Sequence, residues 1–176
     1  MESITEFFET SVGKWFSQRT GHDLQALKSS VGKAELFVDA IDAAAPETKA
    51  LCDRFRVDAT EVLGGIKLRW EATIAASTKK EFGSAAIVAL RSEDGKSGTV
   101  LASTGAANRP GAYAIGDDGA LTLTIPTETG AIEERVWYAM PNLRFRTSTV
   151  AVDGQPAIAS FCSEIRSVAA PPKAEA

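Results

Sequence analysis

Two arginines stand two residues apart in the run Pro141-Asn142-Leu143-Arg144-Phe145-Arg146-Thr147-Ser148. In an extended strand successive side chains alternate between faces. Asn142, Arg144, Arg146 and Ser148 therefore share one face, and Leu143, Phe145 and Thr147 share the other. Two guanidinium groups side by side repel unless anions lie between or over them. A turn at Met140-Pro141-Asn142 folds the preceding run, with Glu133 and Glu134, back beside the arginines. Proline suits a turn better than a central ladder position, and asparagine tolerates turn geometry. The anions are thus either these carboxylates or an acidic ligand. In the first case the stretch is a solvated hairpin face with ion pairs worth about 0.2–1 kcal/mol each. Alternation does not decide whether Glu133 or Glu134 faces the arginines, because a β-bulge would swap them.

Other chemistry is not written in the chain. His22 is the one histidine, and no Gly-x-Ser-x-Gly run supports a catalytic triad around it, so it reads as an exposed strand-end residue. Gly95-Lys96-Ser97 mimics the end of a phosphate-binding loop, but Leu90 stands where the first glycine of that loop belongs. Cys52 and Cys162 lie far apart and cannot close a zinc site with a single histidine, so no metal is expected. Cys162 alternates with Ser160 and Glu164 on the last strand without an evident base to activate it. Both thiols read as buried and reduced, in a cytosol-like compartment. The net charge of −4 and the pI near 5.1 argue against nucleic-acid or acidic-membrane partners. No apolar run approaches the ~20 residues of a membrane-spanning helix, so no membrane insertion is expected. The start, Met1-Glu2-Ser3, lacks the basic and apolar character of a secretory signal.

The elements that must position the arginines follow from periodicity. Ser3-Ile4-Thr5-Glu6 has the pattern of a capping box, and Ile4, Phe7 and Phe8 recur at helical spacing to about Ser11. Strands follow over residues 14–24 and 34–41. Pro46 sits well at a helix's first position, and Leu51, Cys52 and Phe55 carry that helix to about Arg56. Gly64-Gly65 opens a strand through Ile66, Leu68 and Trp70. Seven β-like segments then fall near residues 82–90, 98–103, 111–115, 120–127, 131–139, 142–150 and 155–166. Turn signals such as Asp117-Asp118-Gly119 and Asp153-Gly154 separate them. The fold expected is all-β: an antiparallel up-and-down barrel of about ten strands, with a short N-terminal helix and one inserted helix. Residues 1–168 make a single domain of this kind, and the Ala/Pro-rich tail 169–176 is expected to be disordered.

Gly13-Lys14-Trp15, opening the first strand after a short helix, resembles the Gly-x-Trp signature of lipocalin-like (calycin) barrels, which lay a late arginine, here Arg166, over that tryptophan. More specific blocks occur in order along the chain: Ser17-Gln18-Arg19-Thr20, Gly64-Gly65-Ile66 with Trp70, Glu133-Glu134-Arg135-Val136-Trp137, the arginine run above, and Ser160-Phe161-Cys162-Ser163-Glu164-Ile165-Arg166. Together they resemble the S/U-type (CpcS/CpeS) phycobiliprotein chromophore lyase family of cyanobacteria and related plastids. The resemblance implies delivery of a linear tetrapyrrole, phycocyanobilin or phycoerythrobilin, to a cysteine of an apo-phycobiliprotein subunit, where a thioether forms. The bilin is a substrate and no permanent cofactor is implied. The family also implies work in a cyanobacterial cytosol or plastid stroma, as a homodimer or as a heterodimer with a related lyase subunit.

Set against that chemistry, Arg144, Arg146 and Arg19 suit the bilin propionates, with Ser148 on the same face as the first two. Trp70 offers a flat surface for the tetrapyrrole, or is plain core. Glu134 is the candidate catalytic residue: it accepts hydrogen bonds from the pyrrole N–H groups and keeps the bilin protonated and electrophilic. Trp15 and Arg166 read as structural. Ala76 stands where the family often has a second tryptophan, which leaves the pocket's second wall in question. A non-catalytic bilin carrier, or the partner half of a heteromeric lyase, is the alternative reading.

Overall fold

The computed structural model describes residues 1, 3–74, 80–104, 107 and 109–167. The expectations for Ala76 and for the tail lie outside them. Among the described residues ten strands close into one antiparallel barrel. They are β1 (Gly13–Asp23), β2 (Lys28–Ile41), β3 (Val62–Ile74), β4 (Lys80–Leu90), β5 (Ser97–Ala102), β6 (Gly111–Ile115), β7 (Leu121–Pro126), β8 (Gly130–Met140), β9 (Leu143–Val152) and β10 (Gln155–Arg166). Each strand pairs with its sequence neighbours, and β1 pairs with β10 to close the ring. The up-and-down order expected from the turn signals is the order found. Closure leaves no open sheet edge. Among the described residues no helix is long and apolar enough to cross a membrane.

Helix α1 (Ile4–Ser11) seals one end of the barrel. The Ser3 side chain caps it by accepting the Glu6 backbone N–H at 3.2 Å. Its apolar stripe of Ile4, Phe7 and Phe8 is buried in the same cluster as Trp15, Leu36 and Val38. Gly13 makes the exit possible: its φ is +131°, and a side chain there would press on Arg166. Helix α2 (Pro46–Phe55) starts on Pro46 and ends on Arg56 in the left-handed conformation. It lies on the outside of the barrel, where Leu51 and Cys52 bury against Ala86, Val88 and Leu101.

The floor of the barrel is built on Trp15, which has no exposed surface. Its indole N–H donates to the Ser11 carbonyl at 2.9 Å. Two guanidinium groups lie over its rings, those of Arg144 and Arg166, each 4.2 Å from a ring centroid. Arg166 also donates to the carbonyls of Val12 and Thr10, the last carbonyls of α1 and its exit, which no helical partner satisfies. Tyr138 completes the floor with edge contacts to Trp15 and Phe7 and a hydroxyl contact to Ser11 at 3.0 Å. Arg166→Ala removes two charge-assisted bonds and one cation–π contact. It is expected to cost about 2–3 kcal/mol in urea denaturation. Arg166→Lys should recover less than half of that, because an ammonium neither forks nor stacks as a guanidinium does. Unchanged midpoints for both variants would show that the floor does not depend on this cap.

Candidate functional site: a charged wall inside the barrel

Register fixes which side chains meet inside the barrel. On β1 the inward residues Trp15, Ser17 and Arg19 stand opposite Arg166, Glu164 and Cys162 of β10. On β9, Arg144, Arg146 and Ser148 stand opposite Glu164, Cys162 and Ser160. On β8, Tyr138, Val136 and Glu134 stand opposite the same three β9 residues. Residues two apart on a strand are separated by roughly 6.8 Å. Arg144, Arg146 and Ser148 therefore climb one wall from the floor toward the open end. The arginine face that the sequence left open between solvent and ligand is turned into the lumen.

Arg144 is 5% exposed. It stacks on Trp15, and its Nε donates to Glu164 Oε2 at 2.6 Å. Arg146 is bound on two sides. Its Nε and Nη2 donate to Glu164 Oε1 at 3.2 and 3.1 Å, and its Nη1 donates to Glu134 Oε1 at 3.1 Å. Glu134, Arg146, Glu164 and Arg144 thus form one chain of alternating charge. Glu133 is exposed and faces outward, opposite Thr149, so the question between the two glutamates resolves to Glu134. Both arginines, read from the sequence as suited to ligand carboxylates, already hold protein carboxylates.

Glu164 is the member that strand alternation alone did not single out. It is fully buried and also takes a long contact from the Ser17 hydroxyl at 3.4 Å. Burial works to raise its carboxyl pKa, but the charges and hydrogen bonds of Arg146 and Arg144 outweigh burial and hold it below the usual range. For Arg146, burial works to lower the pKa, and Glu134 and Glu164 more than reverse it. Cys162 sits beside this chain, its sulfur 3.6 Å from Arg146 Nη2. Burial pushes its thiol up, and Arg146 offsets only part of that, so no thiolate is prepared here.

Arg19 differs from the other two arginines. It shares the inward face of Trp15 and Ser17 yet is exposed, so the lumen at its level is open to water. It makes no ion pair among the described residues. Trp70 on β3 stands between Leu36 and Gly83 and packs partly buried against the main core. Gly83 lies under its ring, and any side chain at that position would run into the indole. His22 is exposed at the strand end, 3.0 Å from the Ser29 hydroxyl, as its position suggested. The lumen is therefore split. The wall β8–β9–β10–β1 carries Arg19, Arg144, Arg146, Glu134 and Glu164, while the facing strands contribute Leu36, Leu68, Trp70, Ile87, Val100 and Leu123.

A closed up-and-down barrel with a helix-sealed floor and a lumen half ionic and half apolar is a lipocalin-like small-molecule binder. Comparison with known proteins narrows the class. The CpeS-like protein family matches residues 3–167. The chromophore lyase CpcS/CpeS of Thermosynechococcus vestitus is 38% identical over 93% of this chain and 92% of its own length. The chromophore lyase CpcS/CpeS 1 of Trichodesmium erythraeum is 39% identical over 94% and 98%. The solved structure of the S-type phycobiliprotein lyase CPES from Guillardia theta superimposes with a TM-score of 0.85 at 27% identity, covering 96% of this chain and 94% of that one. The chain belongs to the CpeS-like family.

The buried carboxylate gives a signed pH dependence. The Glu164 pKa is lowered in the folded state from about 4.3 in the unfolded chain. Its contribution to stability is therefore complete above about pH 4.3 and is lost as pH falls through the lowered folded value. Glu164→Gln is expected to cost about 3–5 kcal/mol at pH 7, as for other broken buried ion pairs. The gap to wild type should shrink as the wild-type carboxyl is protonated. Urea denaturation across the acidic range checks this, and a gap independent of pH would contradict it.

Proposed function

We propose that this chain is a phycobiliprotein chromophore lyase that holds a linear tetrapyrrole in the barrel lumen and hands it to a cysteine of an apo-phycobiliprotein subunit, where a thioether forms. The observation that carries the reading is the divided lumen. A bilin has apolar faces, a polar edge of four pyrrole-type nitrogens and two propionates. Trp70 and the aliphatic strands suit the faces, and the charged wall suits the edge and the carboxylates. Phycocyanobilin or phycoerythrobilin is the substrate, and the site works in a cyanobacterial cytosol or plastid stroma.

Charge assigns the roles. On the wall β8–β9–β10–β1, between the Trp15 floor and the rim, Arg19, Arg144 and Arg146 face Glu134 and Glu164, which leaves one net positive charge; Arg166, at the floor itself, is engaged by the Thr10 and Val12 carbonyls. A bilin with both propionates ionised and its ring system protonated carries one net negative charge and balances it. A neutral ring system would leave an uncompensated negative charge in a partly desolvated site, where charge imbalance is costly. Arg19, with no protein carboxylate, is the first anchor for a propionate. Arg146, held between Glu134 and Glu164, is the second, and Ser148 above it donates a hydroxyl. Arg144 takes part from below, by fixing Glu164 and the floor. Glu134 faces the pyrrole N–H edge and stabilises the protonated bilin, which is the more electrophilic form at the ethylidene carbon that the incoming sulfur attacks. The nucleophile is the acceptor's thiol, so the protein needs none of its own, and Cys162 stays protonated beside Arg146. The working unit pairs two barrels, two copies of this chain or this chain with a related subunit.

The direct test combines the purified chain, bilin and apo-phycobiliprotein, with covalent colour read on a denaturing gel. Transfer by this chain alone supports the lyase reading. Bilin binding without transfer would make it a carrier, and transfer only after a related subunit is added would make it half of a heteromeric lyase. Within the same assay Arg19→Ala is expected to weaken bilin binding by about tenfold to a hundredfold, the loss of one charge-assisted carboxylate pair. Its thermal stability should not change, because Arg19 is exposed and unpaired with any described carboxylate. An unchanged dissociation constant would remove Arg19 from the site.

A further inference from the structure

Across β1 to β4 four inward positions stand in one row: Trp15, Leu36, Trp70 and Gly83. The last of them is a glycine without a backbone reason to be one. Its φ lies outside the left-handed region, so any residue could adopt its conformation. A glycine in a strand interior weakens the strand and often marks a close approach. At Gly65, Gly111 and Gly130 a side chain would run into the carbonyl oxygen of a neighbouring strand. At Gly83 the obstacle is one side chain. The place of a Cβ is taken by Cζ2 and Cε2 of Trp70, and the indole Nε1 lies 2.8 Å from it. Side chains in strands normally stand roughly perpendicular to the sheet. The Trp70 indole instead lies across onto β4. Trp70 points inward and is partly exposed, so its exposed surface belongs to the lumen. The next inward pair toward the open end is Ala34 with Ala72, side chains too short to cover the ring.

We propose that Gly83 is a positioning residue for the ligand: by leaving room for the indole to lie over β4, it keeps the lumen wide enough for a flat conjugated pigment and turns the face of Trp70 toward it. This rests on the proposed function and gives a part in it to a residue that has no side chain to touch the ligand. A methyl group at position 83 would claim the space of Cζ2 and Cε2. The β4 backbone does not yield easily, because the ladder to β3 continues on both sides, with Glu71 opposite Phe82 and Arg69 opposite Ser84. The indole is the end of a side chain and moves more readily. The sheet lies behind it, so its free direction is into the lumen. An indole stood upright takes volume that the pigment needs and offers an edge where it offered a face. Conjugated rings pair best in offset stacks over a face. The substitution therefore acts on pigment binding. The charged wall that serves the propionates and the pyrrole edge is built on other strands, and it stays as it is.

A double-mutant cycle on the full chain tests this, with Gly83→Ala, Trp70→Leu and the two combined. Phycocyanobilin is titrated into each. Gly83→Ala is expected to keep the far-ultraviolet circular dichroism of the wild type and to raise the dissociation constant by about tenfold or more. In the Trp70→Leu background the same change is expected to shift it by less than about twofold, because the glycine acts through the indole. Near-ultraviolet circular dichroism of the pigment-free chains reads the ring itself. The share of Trp70 is the difference between wild type and Trp70→Leu, and Gly83→Ala is expected to alter that share. An unchanged dissociation constant in folded Gly83→Ala, or an equal loss in both backgrounds, overturns the proposal. If Gly83→Ala does not fold, the double variant, in which the clash is relieved, decides. Pigment bound as weakly as by Trp70→Leu supports the proposal, and pigment bound as tightly as by wild type shows that ring and glycine serve packing alone and overturns it. A wild type that binds no phycocyanobilin removes the proposed function and this inference with it, whereas a wild type that binds beside an unaffected Gly83→Ala removes only the inference.

Discussion

A carboxylate with no access to water stays ionised only where cations surround it, and Glu164 meets that condition through two arginines on the neighbouring strand. The rest of the lumen depends on this contact. Glu164 holds Arg144 down onto Trp15, which ties the charged wall to the floor and, through Arg166, to the exit of α1. It also holds Arg146 from one side and leaves its Nη1 for Glu134. Two guanidinium groups roughly 6.8 Å apart on one strand face would repel in an apolar lumen. With Glu164 between them they become a charge-compensated frame on which the upper part of the wall is set.

That arrangement separates two tasks often assigned to the same residues. The buried lower part, Arg144 with Glu164 over Trp15, maintains the geometry. The upper part, Arg19, Arg146, Ser148 and Glu134, is exposed or only partly buried, and in the proposed reading it exchanges water for the ligand. A flat acidic ligand needs such a division. Its charged groups must find partners already oriented, since orienting long side chains at the moment of binding costs about 0.5–1.5 kcal/mol for each. Here the orientation is supplied in advance by contacts below the site. The strands opposite are lined with apolar side chains, which in the proposed reading would meet the ring faces of the ligand.

Much of this was legible in the residues. Ten strand segments could be marked off because nearly every hairpin is signalled by Gly, Pro, Asp or Asn. The resemblance of the Gly-x-Trp start to lipocalin-like barrels already implies the stacking of Arg166 on Trp15. β2 begins at Lys28, earlier than periodicity suggested, because a lone exposed Val31 among Lys28, Ser29, Ser30, Gly32 and Lys33 carries no alternation. The turn of 3-10 helix at Ala59–Glu61 has no apolar pattern to announce it. Glu164 was visible as a neighbour of Cys162 on alternate positions, but its part in the site was not. Which face of β10 turns inward depends on the pairing of β10 with β1 across nearly the whole chain, and local alternation does not contain that register. The facing of Glu133 and Glu134 stayed open for the same reason: it turns on whether the β8–β9 ladder slips, and its one irregularity lies at Tyr138, beyond both.

The central claim is that the lumen's charge balance holds the bound bilin protonated, with Glu134 as the carboxylate nearest the pyrrole edge. Its most direct measurement is the absorption spectrum of bilin bound to wild type and to Glu134→Gln at matched pH. The glutamine keeps shape and hydrogen-bonding capacity and removes one negative charge, so the wall gains a second net positive charge. The account predicts that the variant still binds bilin, that the bound pigment moves from the red-shifted protonated spectrum toward that of the neutral form, and that transfer to the acceptor cysteine slows. Identical spectra with identical transfer rates would contradict it.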